Sequence, residues 1–208
     1  MKGDDANWGW NAGALLGLDD STTLGLSYRS RIKHQLEGTL NGATPIKADI
    51  TLPDSASLSL HKRLSLDWDL LADATWTGWG NFDELRVRHA TLGITLSLVP
   101  ENWQDGWRYS LGTNYHMSRK WTWRFGLAYD QTPVPDASFR TPRIPDEDRT
   151  WLAFGGQYRL SRQGWFDFGH AHLFVCDASI NHTEGPITVR GTYRNHVDIL
   201  GAQYTHSF

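Results

Sequence analysis

Four arginines stand on the polar side of segments in which polar and apolar residues alternate. They are Arg29, Arg31, Arg108 and Arg124. A few such polar groups in an apolar pocket could fix the orientation of a bound ligand. Alternatively, the arginines line a hydrated surface and pair with nearby acids, for which the candidates are Asp67, Asp69 and Asp73. The sequence leaves both interpretations open.

A second group of candidates lies in the proline-rich segment 131–148, which we expect to be a long loop because its prolines cannot join a strand ladder. Val134 and Phe139 could capture an apolar ligand or be ordinary loop packing. Three charged residues end the segment: Asp146, Asp148 and Arg149. They could form a latch where a ligand enters, or ion pairs that fix the loop to the strands beside it.

The residue types needed for catalysis do not form a recognisable set. His170 and His172 share one face of a strand, but no third metal ligand accompanies them, so we predict no metal site. No Gly-x-Ser-x-Gly elbow and no phosphate-binding loop is present. Cys176 is the single cysteine, which excludes an internal disulfide and a cysteine cluster. We therefore predict no enzymatic activity and no cofactor, and the net charge of −3 argues against nucleic-acid binding.

The elements that carry these residues are predicted to be amphipathic strands. Segment 120–130 alternates strictly, and its apolar side carries Trp121, Trp123, Phe125, Leu127 and Tyr129. Aromatic residues at both ends of a strand, with an aliphatic residue between them, suit a strand that crosses a bilayer. The mean hydropathy of −0.48 is compatible with this, since every second residue would face a polar lumen.

The connections between strands favour the same architecture. Short connections (19–21, 62–63, 118–119, 161–164) alternate with long ones (41–47, 89–105, 131–148, 180–187), as in outer-membrane barrels. The sequence contains no run of 18 apolar residues, so we predict no transmembrane helix. We count nine or ten strands, and an aromatic Phe208 on the last one resembles the signal that barrel assembly machinery reads. The start at Met1 shows no apolar leader, so we expect that a signal peptide was removed or that the sequence begins partway through a longer protein.

Several stretches resemble the FadL/TodX family of outer-membrane transporters. They include Asn7-Trp8-Gly9-Trp10-Asn11-Ala12-Gly13, Leu26-Ser27-Tyr28-Arg29-Ser30, Trp107-Arg108-Tyr109-Ser110-Leu111-Gly112-Thr113-Asn114-Tyr115, Asp130-Gln131-Thr132-Pro133-Val134-Pro135, Ile144-Pro145-Asp146-Glu147-Asp148-Arg149-Thr150-Trp151-Leu152 and Asn181-His182-Thr183-Glu184-Gly185-Pro186. Their order and spacing fit across nearly all 208 residues.

The resemblance implies an all-β, transmembrane, antiparallel up-and-down barrel. Residues 1–208 would be one barrel domain containing the last nine or so of fourteen strands, without the hatch and the first strands. The implied function is passive conduction of hydrophobic molecules, above all long-chain fatty acids, across the outer membrane of a Gram-negative bacterium. The implied partners are these molecules and outer-membrane lipid, and we expect a monomer. Family members pair the substrate carboxylate with basic residues, yet the stretch Leu98-Val99-Pro100-Glu101 has no base where one is expected.

Two alternatives belong to other classes. The first is a soluble β-sandwich or barrel that acts as a binding or structural module, and extraction behaviour would distinguish it. The second is a barrel that is itself an enzyme, which would need a Ser/His/acid cluster at one rim.

Overall fold

The computed structural model describes residues 2–207. Most of the main sheet consists of amphipathic strands of eight to twelve residues, close to the length that crosses a bilayer at a tilt. Its strand order is β16-β13-β12-β11-β10-β7-β6-β3-β2, all antiparallel. The strands are β2 (Asn11–Asp19), β3 (Thr22–Arg29), β6 (Ser55–Arg63), β7 (Trp68–Thr77), β10 (Gly106–Tyr115), β11 (Trp121–Asp130), β12 (Arg149–Arg159), β13 (Gly164–Val175) and β16 (His196–His206).

The predicted count of nine is confirmed for this sheet, but the sheet does not close on itself. Among residues 2–207, β2 pairs only with β3, and β16 pairs only with β13, so both remain edge strands. The alternation of connections holds as well. Connections 20–21, 64–67, 116–120 and 160–163 meet at one end of the sheet, the turn end, and the long connections meet at the other, the loop end.

A second sheet, with order β1-β4-β5-β8-β9, is built from a short N-terminal strand and from two of the long connections. Its strands are β1 (Lys2–Asp4), β4 (Ile32–Leu40), β5 (Thr44–Leu52), β8 (Glu84–His89) and β9 (Thr95–Pro100). The alternation in 22–40 and in 48–61 predicts one continuous strand in each segment. Both divide near the rim, at 30–31 and 53–54, because each chain leaves the nine-stranded sheet there and joins the second one.

Two further stretches differ from the sequence-based prediction, which places a connection at 180–187 and one final strand from about residue 186 onward. Segment 178–193 forms a hairpin of β14 (Ala178–Glu184) and β15 (Ile187–Tyr193). The glycines of Gly78-Trp79-Gly80 predict a bulge in the strand, but the structure has a single 3₁₀ turn at Trp79–Asn81. Segment 131–148 has no strand, as its prolines predict.

The two faces of the main sheet differ in chemistry. Residues directly opposite each other in antiparallel strands share a face, and one face carries Leu111, Leu127 and Leu152 in a single row. On this apolar face the side chains are not packed into an interior: Phe125 is 46% exposed and Tyr129 is 41% exposed. The other, polar face carries Ser59, Asp73 and Ser110 in one row. No helix among residues 2–207 is long and apolar enough to cross a membrane.

Candidate functional site

The candidate site is a recess of about 460 Å³ at the loop end of the polar face. Arg29 at the end of β3 and Arg108 in β10 both line it. Register brings them to one face, because Arg29 lies opposite Ser55 in β6, Ser55 opposite Thr77 in β7, and Arg108 opposite Thr75. Apolar lining comes from the connections above the sheet, where Ile32, Leu52 and Trp79 contribute. The recess therefore combines cationic groups with an apolar wall.

Arg29 and Arg108 are the two predicted arginines whose charge is not already neutralised by an ion pair. Neither forms an ion pair or a side-chain hydrogen bond with any residue of the described segment 2–207. Asp130 lies directly opposite Arg108 and lines the same recess, but its carboxylate accepts from Arg149 Nε at 3.0 Å. Two guanidinium groups that face one recess without a counterion can accept an anionic group.

Arg31 lies outside the recess, at the rim between the two sheets. One of its terminal nitrogens donates to Asp54 Oδ2 at 3.2 Å, and the other donates to Asn81 Oδ1 at 3.2 Å. Tyr28 also donates to Asp54 Oδ2, at 3.0 Å. Burial by itself would raise the pKa of Asp54, but these hydrogen bonds outweigh it and hold the pKa below its usual value. Arg31 therefore fixes the point at which strands leave the main sheet.

Arg124 lies on the polar face nearer the turn end, and it is paired. Its guanidinium donates to Asp167 Oδ1 at 2.9 Å, and Gln157 donates to the same oxygen at 2.9 Å. The partner expected from sequence was Asp67, Asp69 or Asp73. Asp69 instead accepts from His116 Nε2 at 2.8 Å, and Asp73 is held by Ser59 at 2.9 Å. These contacts describe a hydrated, hydrogen-bonded wall rather than a set of free ligand-binding groups.

A larger cavity of about 630 Å³ lies further down the polar face. Small residues such as Gly112, Gly126 and Ala153 form its floor, so the backbone is close to the open space. Trp151 also lines it, and the indole N–H of Trp151 is buried without a hydrogen-bond partner among the described residues. Ser59, Asp73 and Ser110 line it as well, but most of the surface that the cavity presents is apolar, which suits an uncharged chain or ring.

The candidates in segment 131–148 are held within the protein. Val134 is only 4% exposed, so it packs beneath the loop instead of meeting solvent, and Phe139 is half-buried. Arg140 is 2% exposed and organises the loop. It donates to the carbonyls of Asp146 and Ser179 and to Glu147 Oε2 at 2.6 Å. The loop is thereby tied to the β14–β15 hairpin.

The three charged residues at the end of this loop form ion pairs and hydrogen bonds with the rim. Arg149 contacts Asp130 through Nε and Asp146 through a terminal nitrogen, each at 3.0 Å. Asp148 accepts from the Tyr129 hydroxyl at 2.5 Å and from the Thr132 N–H at 2.8 Å. This geometry supports the interpretation in which these groups fix the loop to the sheet.

His170 and His172 lie on the apolar face, opposite Phe154 and Leu152. Both donate to Asp198 Oδ1, at 2.9 Å each. No group of three or more His, Cys, Asp or Glu residues with the geometry to hold a metal occurs between residues 2 and 207. Asp198 is thus a shared carboxylate partner of two histidines whose side chains remain partly exposed.

Sequence reasoning missed the apolar wall of the recess. Ile32 and Leu52 belong to strands whose alternation does not reveal which sheet they join. Trp79 could have been noticed, since a position between two glycines is unusual for a large aromatic ring. Arg140 gave none, because its partner Ser179 lies 39 residues away.

The whole chain is similar to known outer-membrane proteins. A family model described as "Outer membrane protein transport protein (OMPP1/FadL/TodX)" matches residues 1–208. The long-chain fatty acid transport protein of Salmonella typhi is 32% identical over 206 residues, covering 89% of this chain and 46% of that protein. The protein of the same name from Escherichia coli O6:H1 is 29% identical and covers all of this chain. The chain thus spans about half the length of these relatives.

Two solved structures have the same fold as this chain. A Pseudomonas aeruginosa FadL homologue superposes with a TM-score of 0.87 at 25% identity, covering 95% of this chain and 52% of the homologue. The P. putida toluene transporter TodX has the same fold, with a TM-score of 0.66 at 22% identity over 97% of this chain and 49% of TodX. Since the family model matches every residue, the chain belongs to the OMPP1/FadL/TodX family of outer-membrane transport proteins.

Proposed function

We propose that this chain supplies the ligand-binding wall of an outer-membrane channel that passively conducts hydrophobic molecules, with long-chain fatty acids as the main substrates. The observation that carries the proposal is the recess that Arg29 and Arg108 line together with Ile32, Leu52 and Trp79, since neither arginine forms an ion pair with any residue between 2 and 207. A fatty acid has one anionic group and one apolar chain, and the recess offers a partner to each. Two relatives are named for long-chain fatty acid transport, which supports this choice of substrate.

The larger cavity would receive the apolar part of the molecule as it moves down the lumen. No chemical step is needed, because the protein only has to replace water around the chain with apolar contacts. The arrangement of the loop end supports a fixed recess rather than a mobile one. In this proposal Asp146, Asp148 and Arg149 fix the loop to the rim through ion pairs and hydrogen bonds, while Val134 and Phe139 contribute to loop packing.

We also propose that the nine strands form part of a single barrel domain whose remaining strands pair with β2 and β16. Unpaired backbone groups at these edges would each cost several kcal/mol in hydrocarbon, which supports pairing in the membrane. The proposed partners are outer-membrane lipid and the barrel assembly machinery. The residue assigned to that machinery, Phe208, lies outside the described residues. We propose a monomer with no cofactor.

The direct test compares palmitate with hexadecanol, which share a chain of equal length but differ in charge. Titration of the detergent-solubilised protein with each ligand gives two dissociation constants. We expect Arg108→Gln to weaken palmitate binding by about tenfold, the value of one charge-assisted hydrogen bond, and to leave hexadecanol unchanged. Arg124→Gln is the matched control, because Arg124 is already paired with Asp167. Equal effects of both variants on palmitate would remove the assignment.

The second candidate is a neutral hydrocarbon, and one observation favours it. Glu101, and not a base, precedes β10. If hexadecanol and palmitate bind wild-type protein with the same affinity, the carboxylate contributes nothing to binding, and the neutral hydrocarbon becomes the better hypothesis. The soluble binding module is tested by extraction, since a protein that stays in the supernatant after ultracentrifugation of cell membranes would contradict an outer-membrane channel.

A further inference from the structure

Glu101 is a buried acid that no part of the proposed transport route touches. It lies between β9 and β10 and is only 5% exposed. Its backbone N–H donates to the carbonyl of Asp83 at 2.8 Å. Its side-chain Oε2 accepts from the indole N–H of Trp103 at 2.9 Å. Burying an acid is costly unless the acid is hydrogen-bonded, and here the hydrogen-bond partner is the indole of Trp103.

Trp103 transmits this contact to the recess. Its ring meets the ring of Trp79 edge-to-face, with centroids 4.9 Å apart and an interplanar angle of 72°. It also meets Phe82 at 5.1 Å and 71°. Trp79 in turn lines the recess that contains Arg29 and Arg108. An unbroken series of contacts therefore runs from a buried carboxyl group to the apolar wall of the candidate site.

Trp79 is braced on its other sides by backbone contacts. The N–H of Gly78 donates to the carbonyl of Asp54 at 2.9 Å, and the N–H of Gly80 donates to Asp105 Oδ1 at 2.8 Å. These bonds fix the 3₁₀ turn but do not set the tilt of the indole ring. The rings of Phe82 and Trp103 pack against the Trp79 ring, with centroids 6.5 and 4.9 Å away, and the hydrogen bond to Glu101 holds the nearer of the two.

We propose that Glu101 is a positioning residue for the recess, which orients Trp103 and through it Trp79 against the apolar part of the ligand. This inference rests on the proposed function, because it takes the recess to be the ligand site. It separates two roles within one site. Arg29 and Arg108 recognise charge, whereas Glu101 maintains the shape that receives the chain.

The first test compares Glu101→Gln with Glu101→Leu. Glutamine retains an acceptor for the indole N–H, and leucine does not. We expect Glu101→Leu to weaken binding of palmitate and hexadecanol alike by about fivefold, the value of one displaced aromatic contact, and Glu101→Gln to bind both as the wild type does. Trp103→Phe should behave like Glu101→Leu. Glu84→Leu is the control, since the Glu84 side chain is 37% exposed, lies in the neighbouring strand β8 and pairs with Arg86.

Equal affinities of Glu101→Leu and wild type for both ligands would overturn the inference, as would a Glu101→Gln variant as weak as Glu101→Leu. A loss confined to palmitate would also overturn it, because that pattern belongs to the arginines. The proposed function fails separately, if Arg108→Gln leaves palmitate binding unchanged.

The second test needs no ligand. Hydroxyl-radical footprinting read by mass spectrometry reports how far each tryptophan is exposed. Glu101→Leu should increase oxidation of both Trp103 and Trp79 while Trp121, on the apolar face of β11, stays unchanged. Unaltered oxidation of Trp79 in a folded Glu101→Leu protein would show that the ring does not depend on Glu101.

Discussion

Replacing Arg140 with methionine should release the loop 131–148 without unfolding the nine-stranded sheet. Methionine keeps much of the length of the side chain but removes every donor. The carbonyls of Asp146 and Ser179 then lose their partner, and Glu147 loses its counterion. Breaking a buried ion pair in this way costs about 3–5 kcal/mol.

The lower end of this range applies, because the Glu147 side chain is 24% exposed and regains some hydration. About 3 kcal/mol corresponds to a roughly 150-fold increase in the equilibrium constant for local opening. Hydrogen–deuterium exchange measures this directly for amides that open locally, since their exchange rate follows the opening constant. We expect the increase in peptides covering 131–148 and β14, and no change in peptides covering β11 and β12.

Arg143→Met is the matched control. Arg143 lies in the same loop and pairs with Glu184 at 3.7 Å, but its side chain is 62% exposed. An exposed pair of this kind contributes about 0–1 kcal/mol. If the two variants exchanged at the same rate in 131–148, burial of Arg140 would not be what holds the loop, and the reasoning would be refuted.

Three further predictions follow from single residues. Gly185→Ala should destabilise the β14–β15 hairpin by about 1–2 kcal/mol in hydrogen-exchange experiments, because Gly185 has φ = 58°, a left-handed conformation that a side chain disfavours. Gly191→Ala, where the added methyl group meets open space, should not destabilise the hairpin. Leu111→Arg on the apolar face should lower stability in bilayers by about 2–4 kcal/mol, and Ser110→Arg on the polar face should cost far less; equal costs would contradict the assignment of the faces. Burial raises the pKa of Glu101 above its ordinary value of 4.5. Wild type should therefore lose stability relative to Glu101→Gln as the pH rises from 4.5 through the raised pKa, because the unfolded state gives up its proton first. A stability difference in urea titrations that stays constant across this pH range would contradict the prediction.

The strands of the main sheet could be predicted from sequence because alternation alone specifies them. Segment 120–130 was expected to be a strand, and β11 covers Trp121–Asp130. The division of two long strands at 30–31 and 53–54 could not be predicted, since β4 and β5 alternate in the same way as strands that cross the membrane. Only the pairing partner distinguishes them, and pairing is a contact between distant parts of the sequence.

The candidate site was predicted in part. Side-chain alternation placed Arg29 and Arg108 on the polar face, where they line the recess. It also placed Arg124 there and made it an equal candidate for ligand binding. Separating them required knowledge of the counterion Asp167, which lies 43 residues from Arg124 in sequence. The apolar wall was missed because Trp79 stands in a connection and not in a strand, so no periodicity marks it.

The central claim is that one face of each strand in the main sheet touches hydrocarbon while the opposite face is hydrated. Spin labels placed singly at 122–128 in β11, in a Cys176→Ser background in lipid bilayers, test it most directly. We predict that labels at 123, 125 and 127 are relaxed by oxygen dissolved in the lipid, and that labels at 122, 124 and 126 are relaxed by a water-soluble nickel chelate. Labels at 123, 125 and 127 that neither reagent reaches would instead show a dry protein interior and contradict the account.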